Sequence, residues 1–410
     1  MEGTHMTDDG KPTLGIGMVG YSFMGAAHSQ AWRSAPSFFD VPVVPVLRAL
    51  GGRNAEAAGE VARRFGWESV ETDWRQLVAR DDVELVDVCT PGDTHAEIAI
   101  AALEAGKHVL CEKPLANTVE EAEAMVAAAE KAADSGVRSL VGFTYRRVPA
   151  IALARQLVAD GRIGRIYHVR AQYLQDWISD PEAPLSWRLQ KDRAGSGALG
   201  DIGAHVIDLT QHITGERITG VSAMLETFVK ERPVPSSFSG PLGTTGGTLP
   251  SSAEKRASAE RGPVTVDDAA VFMARFTGGA LASFEATRFA SGRKNAIRIE
   301  INGANGSLAF DFEDMNVLQV HDHTVDPRLG GFTRVLVTEP SHPYVEGWWP
   351  PGHLLGYEHA FTHQAVDLLT AIAGGTDPAP SFADGLVVQR ILAAVEESAA
   401  ANSAWTEVPV

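Results

Sequence analysis

The chain has 410 residues, 44% of them apolar and 21% charged, with a formal net charge of −17. Such a length accommodates roughly two or three domains, each able to bury its own core. The acidic balance argues against a nucleic-acid or anionic-membrane partner, and no apolar run approaches the roughly 18–20 residues of a membrane helix.

Met1 to Met6 (MEGTHM) resembles an expression scar, and residues 1–10 are set apart as a disordered start. Leu14 to Val19 reads as a short apolar strand, followed by Gly20-Tyr21-Ser22-Phe23-Met24-Gly25 and a helical stretch, Ala26 to Trp32. Strand, glycine turn and helix together give a dinucleotide fingerprint its meaning: the first glycine makes the turn, the last lets helix and strand approach, and the helix N-terminus offers N–H groups to a pyrophosphate. Ser22 stands where the middle glycine is usual. A second strand ends near Leu50, followed by Gly51-Gly52-Arg53. An NAD-specific site places an acid here for the ribose diol. None is present, and Arg53 suits a 2′-phosphate or an adenine face, which leans the expected cofactor, NAD or NADP, slightly toward NADP.

Glu56 to Phe65 and a short segment from Thr72 to Val78 read as helices. Leu85 to Cys89 is a strand stopped by Thr90-Pro91, and Asp93 or Thr94 is placed to cap a helix from Ala96 to Ala105. His95 near that helix start suits a backbone hydrogen bond or a ligand contact. Val109-Leu110-Cys111 is a further strand, ended by Glu112-Lys113-Pro114 because proline cannot donate to a sheet ladder. Ligands of parallel sheets bind at this carboxyl edge, so Lys113 is a candidate functional amine. Thr118 with Glu121 forms a capping box for a helix to Ala133, and Ser139 to Tyr145 is the next strand. The alternation of strands and helices predicts an α/β Rossmann domain over residues 11–147. The two cysteines, Cys89 and Cys111, read as free thiols in a reducing cytoplasm.

Beyond residue 147 the pattern changes. After a helix from Pro149 to Ala159, longer strands follow: Tyr167–Leu174, Thr219–Val229, Ala269–Phe276, Ala280–Thr287, Asn295–Asn302, Gly306–Asp311 and Asn316–His321. They predict an α+β C-terminal domain over 148–410 with a large, mainly antiparallel open sheet. Residues 231–263 read as a long loop, Glu358 to Ala373 and Phe382 to Ala401 as helices, with the last helix packing back on the Rossmann domain. Between Trp187 and Asp208 lies WRLQKDRAGSGALGDIGAHVID. Asp201 and His205, four residues apart, share a face if the segment is helical. A carboxylate beside an imidazole suits a general base near neutral pH; a helix-stabilising pair reads equally from the spacing, and no third ligand marks a metal site. Lys113, Asp201 and His205 beside a nucleotide fold make a coherent hydride-transfer set.

These residues together resemble the Gfo/Idh/MocA family of oxidoreductases. The marks are Gly20-x-Ser22-x-x-Gly25 with His28, Thr90-Pro91, Asp93-Thr94-His95, Glu112-Lys113-Pro114 and Gly197-x-Leu199-x-Asp201-x-Gly203-x-His205-x-x-Asp208. The resemblance implies NAD(P), a C-terminal sheet that makes homodimer or homotetramer contacts, and Lys113, Asp201 and His205 as the catalytic set. It places Gly20, Ser22, Phe23, Met24, Gly25, Arg53, Thr90, Pro91, His95, Glu112 and Lys113 against the cofactor. Tyr145-Arg146-Arg147, Tyr173-Leu174-Gln175-Asp176-Trp177 and Leu185-Ser186-Trp187-Arg188 are similar to the levoglucosan-dehydrogenase-like branch, which acts on sugars and anhydrosugars. Polar residues mixed with tryptophan suit a pyranose, so Arg146, Tyr173, Asp176, Trp177 and Arg188 are expected on the substrate side with Asp201 and His205, and His353, Tyr357 and His359 are further candidates. The expected activity is NAD(P)-dependent oxidation of a secondary hydroxyl of a sugar, anhydrosugar or inositol. The alternatives are an enzyme that retains its nicotinamide to cleave glycosides, and a non-catalytic nucleotide-binding sensor.

Overall fold

The computed structural model describes residues 6–7, 10–235 and 260–409. Most of the 231–263 loop therefore lies outside the described residues, but its two ends, Glu231–Pro233 and Arg261–Pro263, pair with each other. Among the described residues, no helix is long and apolar enough to cross a membrane. The chain divides into two compact units. The first contains Met1–Phe143 and Tyr357–Leu386, the second Thr144–Ser236, Ala257–Gly356 and Val387–Val410.

In the first unit, β1 (Thr13–Val19), α1 (Phe23–Phe38), β2 (Val44–Gly51), α2 (Ala55–Phe65), β3 (Ser69–Glu71), α3 (Trp74–Val78), β4 (Leu85–Val88), α4 (His95–Glu104), β5 (His108–Cys111), α5 (Val119–Ala133) and β6 (Ser139–Val141) alternate. The sheet order is β3-β2-β1-β4-β5-β6, and every pair is parallel. That is the doubly wound order whose strand reversal, between β1 and β4, marks the ligand crevice. Local signals explain the helix ends. Asn54 accepts from the Ala57 N–H at the start of α2, and Gly66 closes that helix at φ 82. Thr118 and Glu121 form the expected reciprocal capping box of α5. Thr94 stands at the start of α4 without a side-chain cap bond; its hydroxyl turns back to Thr90 and the Pro91 carbonyl instead. The strand expected to run to Tyr145 stops at Val141, and Thr144–Arg147 winds into a 3₁₀ turn.

The second unit holds α6 (Pro149–Ala159), β7 (Ile166–Leu174), α7 (Lys191–Ala194), α8 (Ala204–Thr214), β8 (Ile218–Glu226), β9 (Glu231–Pro233), β10 (Arg261–Pro263), β11 (Ala269–Phe276), β12 (Leu281–Thr287), β13 (Ala296–Gly303), β14 (Gly306–Asp311), β15 (Val317–Asp322), β16 (Thr333–Leu336) and β17 (Thr406–Glu407). Nine strands form one sheet in the order β16-β15-β14-β13-β7-β12-β11-β8-β17. Its β12–β7 pair is parallel and its other pairs antiparallel. Alternation puts Ala270, Phe272, Ala274 and Phe276 of β11 inside and leaves Val271 and Met273 exposed. One face is thus core, and α8 covers it along β7 and β13.

The helix expected to return to the Rossmann domain is the penultimate one. Residues of α9 (Tyr357–Gly374) belong to the first unit, where Phe361, Ala365, Leu368 and Leu369 join Trp32 and Ala35 of α1 in one core cluster. The last helix, α10 (Phe382–Ala400), begins in the first unit and continues in the second.

Candidate active site

In the first unit the tips of β1 and β4 and the start of α1 crowd together. Gly20 adopts φ +105, and a side chain there would meet the Cys89 carbonyl oxygen at 2.5 Å; one on Gly25 would meet the Gly20 oxygen at 2.2 Å. Only glycine fits both positions. Ser22 has φ −73, ordinary for any residue, so a middle glycine is not required. Its side chain makes no cap bond to α1, leaving the first-turn N–H groups to an incoming anion. Phe23 and Met24 follow in that turn, with Phe23 exposed and stacked on Tyr357 at 5.9 Å. These residues fit a dinucleotide pyrophosphate. At the end of β2, a Cβ on Gly52 would lie 2.2 Å from the Tyr21 ring, so the tyrosine occupies the place of an acid. Arg53 beside it is exposed.

Two residues expected against the cofactor turn inward instead. His95 is buried, with Nδ1 3.0 Å from the Pro114 oxygen and Nε2 2.9 Å from the Thr90 oxygen. It braces the turns after β4 and β5, which carry Thr90, Pro91 and Pro114. Glu112 is also buried, and its Oε1 lies 2.9 Å from His28 Nε2. Lys113 follows at the carboxyl end of β5, half-buried, with its backbone N–H donating to Glu112 Oε2 at 3.3 Å across from a cis Lys113–Pro114 bond.

In the second unit, Asp201 does not lie on a continuous α-helix. Leu199–Gly203 is π-helical and runs into α8, so Asp201 sits in the wider turn and His205 in the first α-helical one. Such turns recur at functional sites. The turn is anchored from outside: the buried Asp267 accepts from the Gly197 N–H at 2.7 Å and the Leu199 N–H at 2.8 Å. Burial pushes the Asp267 carboxyl above its usual range, against the pull of these N–H groups and of Arg288. A Cβ on Gly197 would strike the Asp267 carbonyl at 1.8 Å.

Asp201 Oδ2 lies 3.7 Å from Nη1 of Arg288, a fully buried arginine. Arg288 Nη2 donates to the Asp267 carbonyl at 3.1 Å, and its guanidinium lies 5.5 Å from the Trp177 ring centre. Arg188 feels both: burial holds its guanidinium below the usual value, Asp201 raises it and Arg288 lowers it. Its own stacking partner is Trp187, at 4.4 Å. His205 packs against the rings of Tyr145 at 4.6 Å and Tyr173 at 5.8 Å. From Tyr173 a run of polar groups extends outward. Its hydroxyl lies 3.0 Å from that of Tyr145 and donates to Asn295 Oδ1 at 2.7 Å. Gln175 Nε2 donates to the same oxygen at 2.8 Å, and Trp177 Nε1 donates to Gln175 Oε1 at 2.9 Å.

The structure therefore brings Tyr173, Trp177, Arg188, Asp201 and His205 into one connected neighbourhood. Two expected substrate residues serve as braces. Arg146 grips the buried Asp208 through Nε at 2.8 Å, and Asp176 is held by Lys294 at 2.7 Å and the Gly292 N–H at 3.0 Å. His353 is exposed and bonded to the Pro350 carbonyl. Tyr357 and His359 stand on α9 in the first unit, beside Phe23 and Glu358 respectively. Arg288, Tyr145, Gln175 and Asn295 were not foreseen as site residues. For Arg288 a signal existed: it continues the inward register of Ala282, Phe284 and Ala286, all buried, so a charge there had to face the interior.

Comparison with known proteins follows the same division. Residues 14–140 match the oxidoreductase family model with an NAD-binding Rossmann fold, and residues 151–309 match the GFO/IDH/MocA C-terminal domain. Levoglucosan dehydrogenase of Pseudarthrobacter phenanthrenivorans is 47% identical over 399 residues, covering 97% of this chain and 98% of that protein. The chain belongs to the Gfo/Idh/MocA family. Among solved members, an oxidoreductase domain protein from Kribbella flavida is 72% identical, with TM-score 0.91 over 97% of this chain and 100% of that one. A levoglucosan dehydrogenase in complex with NADH and levoglucosan is 45% identical, with TM-score 0.88 over 97% of this chain and 99% of that one. The chain is accordingly an NAD-binding oxidoreductase, with a parallel Rossmann sheet followed by a mixed, mostly antiparallel one.

Proposed function

We propose that this family member oxidises levoglucosan or a close anhydrosugar at a secondary hydroxyl. The coarser statement stands plainly: it is an NAD(P)-dependent dehydrogenase of the sugar, anhydrosugar and inositol class. The observation that carries the finer reading is the wall around His205, where Tyr145, Tyr173, Asn295, Gln175 and Trp177 alternate hydroxyl, amide and ring. A pyranose offers matching hydroxyls and an apolar face.

Lys113, Asp201 and His205 are proposed as the catalytic set. The bound nicotinamide dinucleotide supplies the hydride acceptor. Gly20, Ser22 and Gly25 receive its pyrophosphate at the start of α1, with Phe23, Met24, Thr90 and Pro91 around them. His205 takes the proton from the substrate hydroxyl oxygen. The Lys113 ammonium stabilises negative charge as it grows on that oxygen. Asp201, with the Arg288 guanidinium beside its carboxyl group, receives a neighbouring hydroxyl and sets the ring's orientation. Arg188 and Trp177 hold the far side.

NAD is proposed as the working cofactor with NADP accepted, because no acid at position 52 repels a 2′-phosphate and Arg53 is exposed to receive one. A homo-oligomer formed through the nine-stranded sheet is proposed from its outward face, where Met224 pairs with Val271 and Met273, Leu281 and Tyr167 are also exposed. Free Cys89 and Cys111 support a reducing, cytoplasmic setting. Turnover with NAD and with NADP, measured against levoglucosan, monosaccharides and inositols, tests the assignment. Activity confined to inositols would displace the anhydrosugar reading.

A further inference from the structure

Behind the Lys113 turn lies a buried cluster that the proposed reaction does not use. His28 on α1 is 2% exposed, Asp87 on β4 0% and Glu112 after β5 5%. His28 Nδ1 lies 3.0 and 2.9 Å from the two Asp87 oxygens, and Nε2 lies 2.9 Å from Glu112 Oε1. Asp87 also accepts from Trp32 Nε1 at 2.8 Å and from the Cys89 thiol at 3.4 Å. His28, Asp87 and Cys89 also place one potential metal ligand each within 4.8 Å of one another, but the hydrogen bonds already account for those atoms.

The geometry fixes the proton count. With Trp32, Cys89 and Nδ1 all aimed at Asp87, its oxygens are acceptors and Nδ1 carries a proton. The contact between Nε2 and Glu112 Oε1 needs a proton of its own, because two lone pairs 2.9 Å apart in a buried site repel. With that proton on the ring, the cluster keeps one proton more than a neutral histidine with two carboxylates. The direction for His28 agrees. Burial alone would lower its pKa, but the Asp87 carboxylate, by charge and by hydrogen bond, outweighs it and holds the ring well above the usual 6.5. The other groups facing the cluster leave this intact: burial keeps Cys89 and Cys111 as thiols, and Phe361 of α9 packs on the ring at 5.4 Å.

That proton has a mechanical consequence. Glu112 is buried, and its Oε2 accepts from the Lys113 backbone N–H at 3.3 Å, so the inward carboxylate holds the turn that carries Lys113. Gly142 makes room for that carboxylate, since a Cβ there would lie 2.7 Å from Glu112 Oε1. We propose that His28 is a positioning residue for Lys113: its proton-mediated bond pins the Glu112 carboxylate inward and so fixes the direction in which the neighbouring Lys113 presents its amine. This rests on the reading of Lys113 as part of the catalytic set.

The test compares Glu112→Ala, Glu112→Gln, His28→Ala and Lys113→Ala in the full-length enzyme, with kcat, KM for sugar and Kd for NAD measured separately. A glutamine amide donates to neutral His28 and needs no extra proton. Glu112→Gln should therefore keep kcat within about threefold, while Glu112→Ala and His28→Ala lose about tenfold or more in kcat with Kd for NAD little changed. Nitrogen NMR of the wild-type ring should show both nitrogens protonated near pH 8, well above the ordinary histidine range, and Glu112→Gln should abolish this. Stability should fall in the wild type as pH rises through this raised value, and stay flatter there in Glu112→Gln. If His28→Ala does not fold, the two Glu112 variants and the NMR decide. Equal losses in Glu112→Ala and Glu112→Gln, a singly protonated ring, unchanged kcat in Glu112→Ala, or a stoichiometric metal would each overturn the proposal. Full turnover in Lys113→Ala would overturn instead the catalytic reading beneath it.

Discussion

Replacing Arg288 with methionine separates an electrostatic role from a packing role. At 3.7 Å, opposite charges in an effective dielectric of about 20 attract by roughly 4–5 kcal/mol. The Asp201 side chain is 29% exposed, and water screens most of that, leaving about 1–2 kcal/mol. If Arg288 keeps Asp201 an ionised, oriented acceptor, its removal lowers kcat/KM by about 5- to 30-fold. Stability should fall by about 1–3 kcal/mol: methionine fills a similar buried volume, but the partly exposed Asp201 loses its partner and the Asp267 carbonyl its donor. The assay is steady-state turnover with NAD and sugar beside thermal unfolding. Unchanged kcat/KM with a clearly lowered Tm would refute the electrostatic role and leave Arg288 as core support. Lysine at 288 should recover part of the loss.

Four further outcomes follow from the structure. Arg53→Ala should raise KM for NADP about fivefold or more and leave that for NAD within twofold, the effect of losing one exposed phosphate contact; equal changes would remove Arg53 from cofactor choice. Tyr173→Phe, which deletes the hydroxyl between Tyr145 and Asn295, should lower kcat/KM about tenfold, read by kinetics, with a stability loss of about 1–2 kcal/mol. His108 is held down to about 4 by burial and by Arg138; its folded pKa being depressed, its contribution is present above about 6.5 and lost as pH falls toward 4, by up to about 3 kcal/mol. Denaturant unfolding from pH 7 to 4 should show a slope that His108→Gln flattens. Met224→Asp with Val271→Asp should shift the protein to smaller species in light scattering, since carboxylates cannot be buried unpaired in an interface.

The parallel half was the more legible because its signals are local. Alternation of apolar strands with capped helices gave β1, β4 and β5 within a residue or two and the end of β2, but not the three-residue β3, and the reciprocal Thr118–Glu121 cap was readable letter by letter. Period-two alternation also showed β7, β8 and β11 to β15, while the short β9, β10, β16 and β17 went unread. What escaped depends on partners far apart in sequence. Ser139-Leu140-Val141 looked continuous with Phe143 and Tyr145, but the chain turns there to place Tyr145 against His205. Asp201 and His205 have α-helical spacing, yet Leu199–Gly203 winds as a π-turn whose entry Asp267, from a distant loop, anchors at the Gly197 and Leu199 N–H groups. Arg146 and Asp176 have the chemistry of sugar-binding groups, and only three dimensions reveal that Asp208 and Lys294 engage them. His95 and Glu112 likewise sit in a cofactor motif while facing the interior. Motif membership located the neighbourhood; long-range hydrogen bonds decided which side chains remain open to a ligand.

The most direct test of the central reading is reduction of NAD by levoglucosan, followed through the absorbance of reduced nicotinamide, with Lys113→Ala as the control. Wild-type enzyme should generate reduced cofactor in proportion to sugar consumed, and Lys113→Ala should bind NAD with turnover reduced at least about a hundredfold. Bound NAD with no reduction by levoglucosan or any related anhydrosugar would contradict the proposed function.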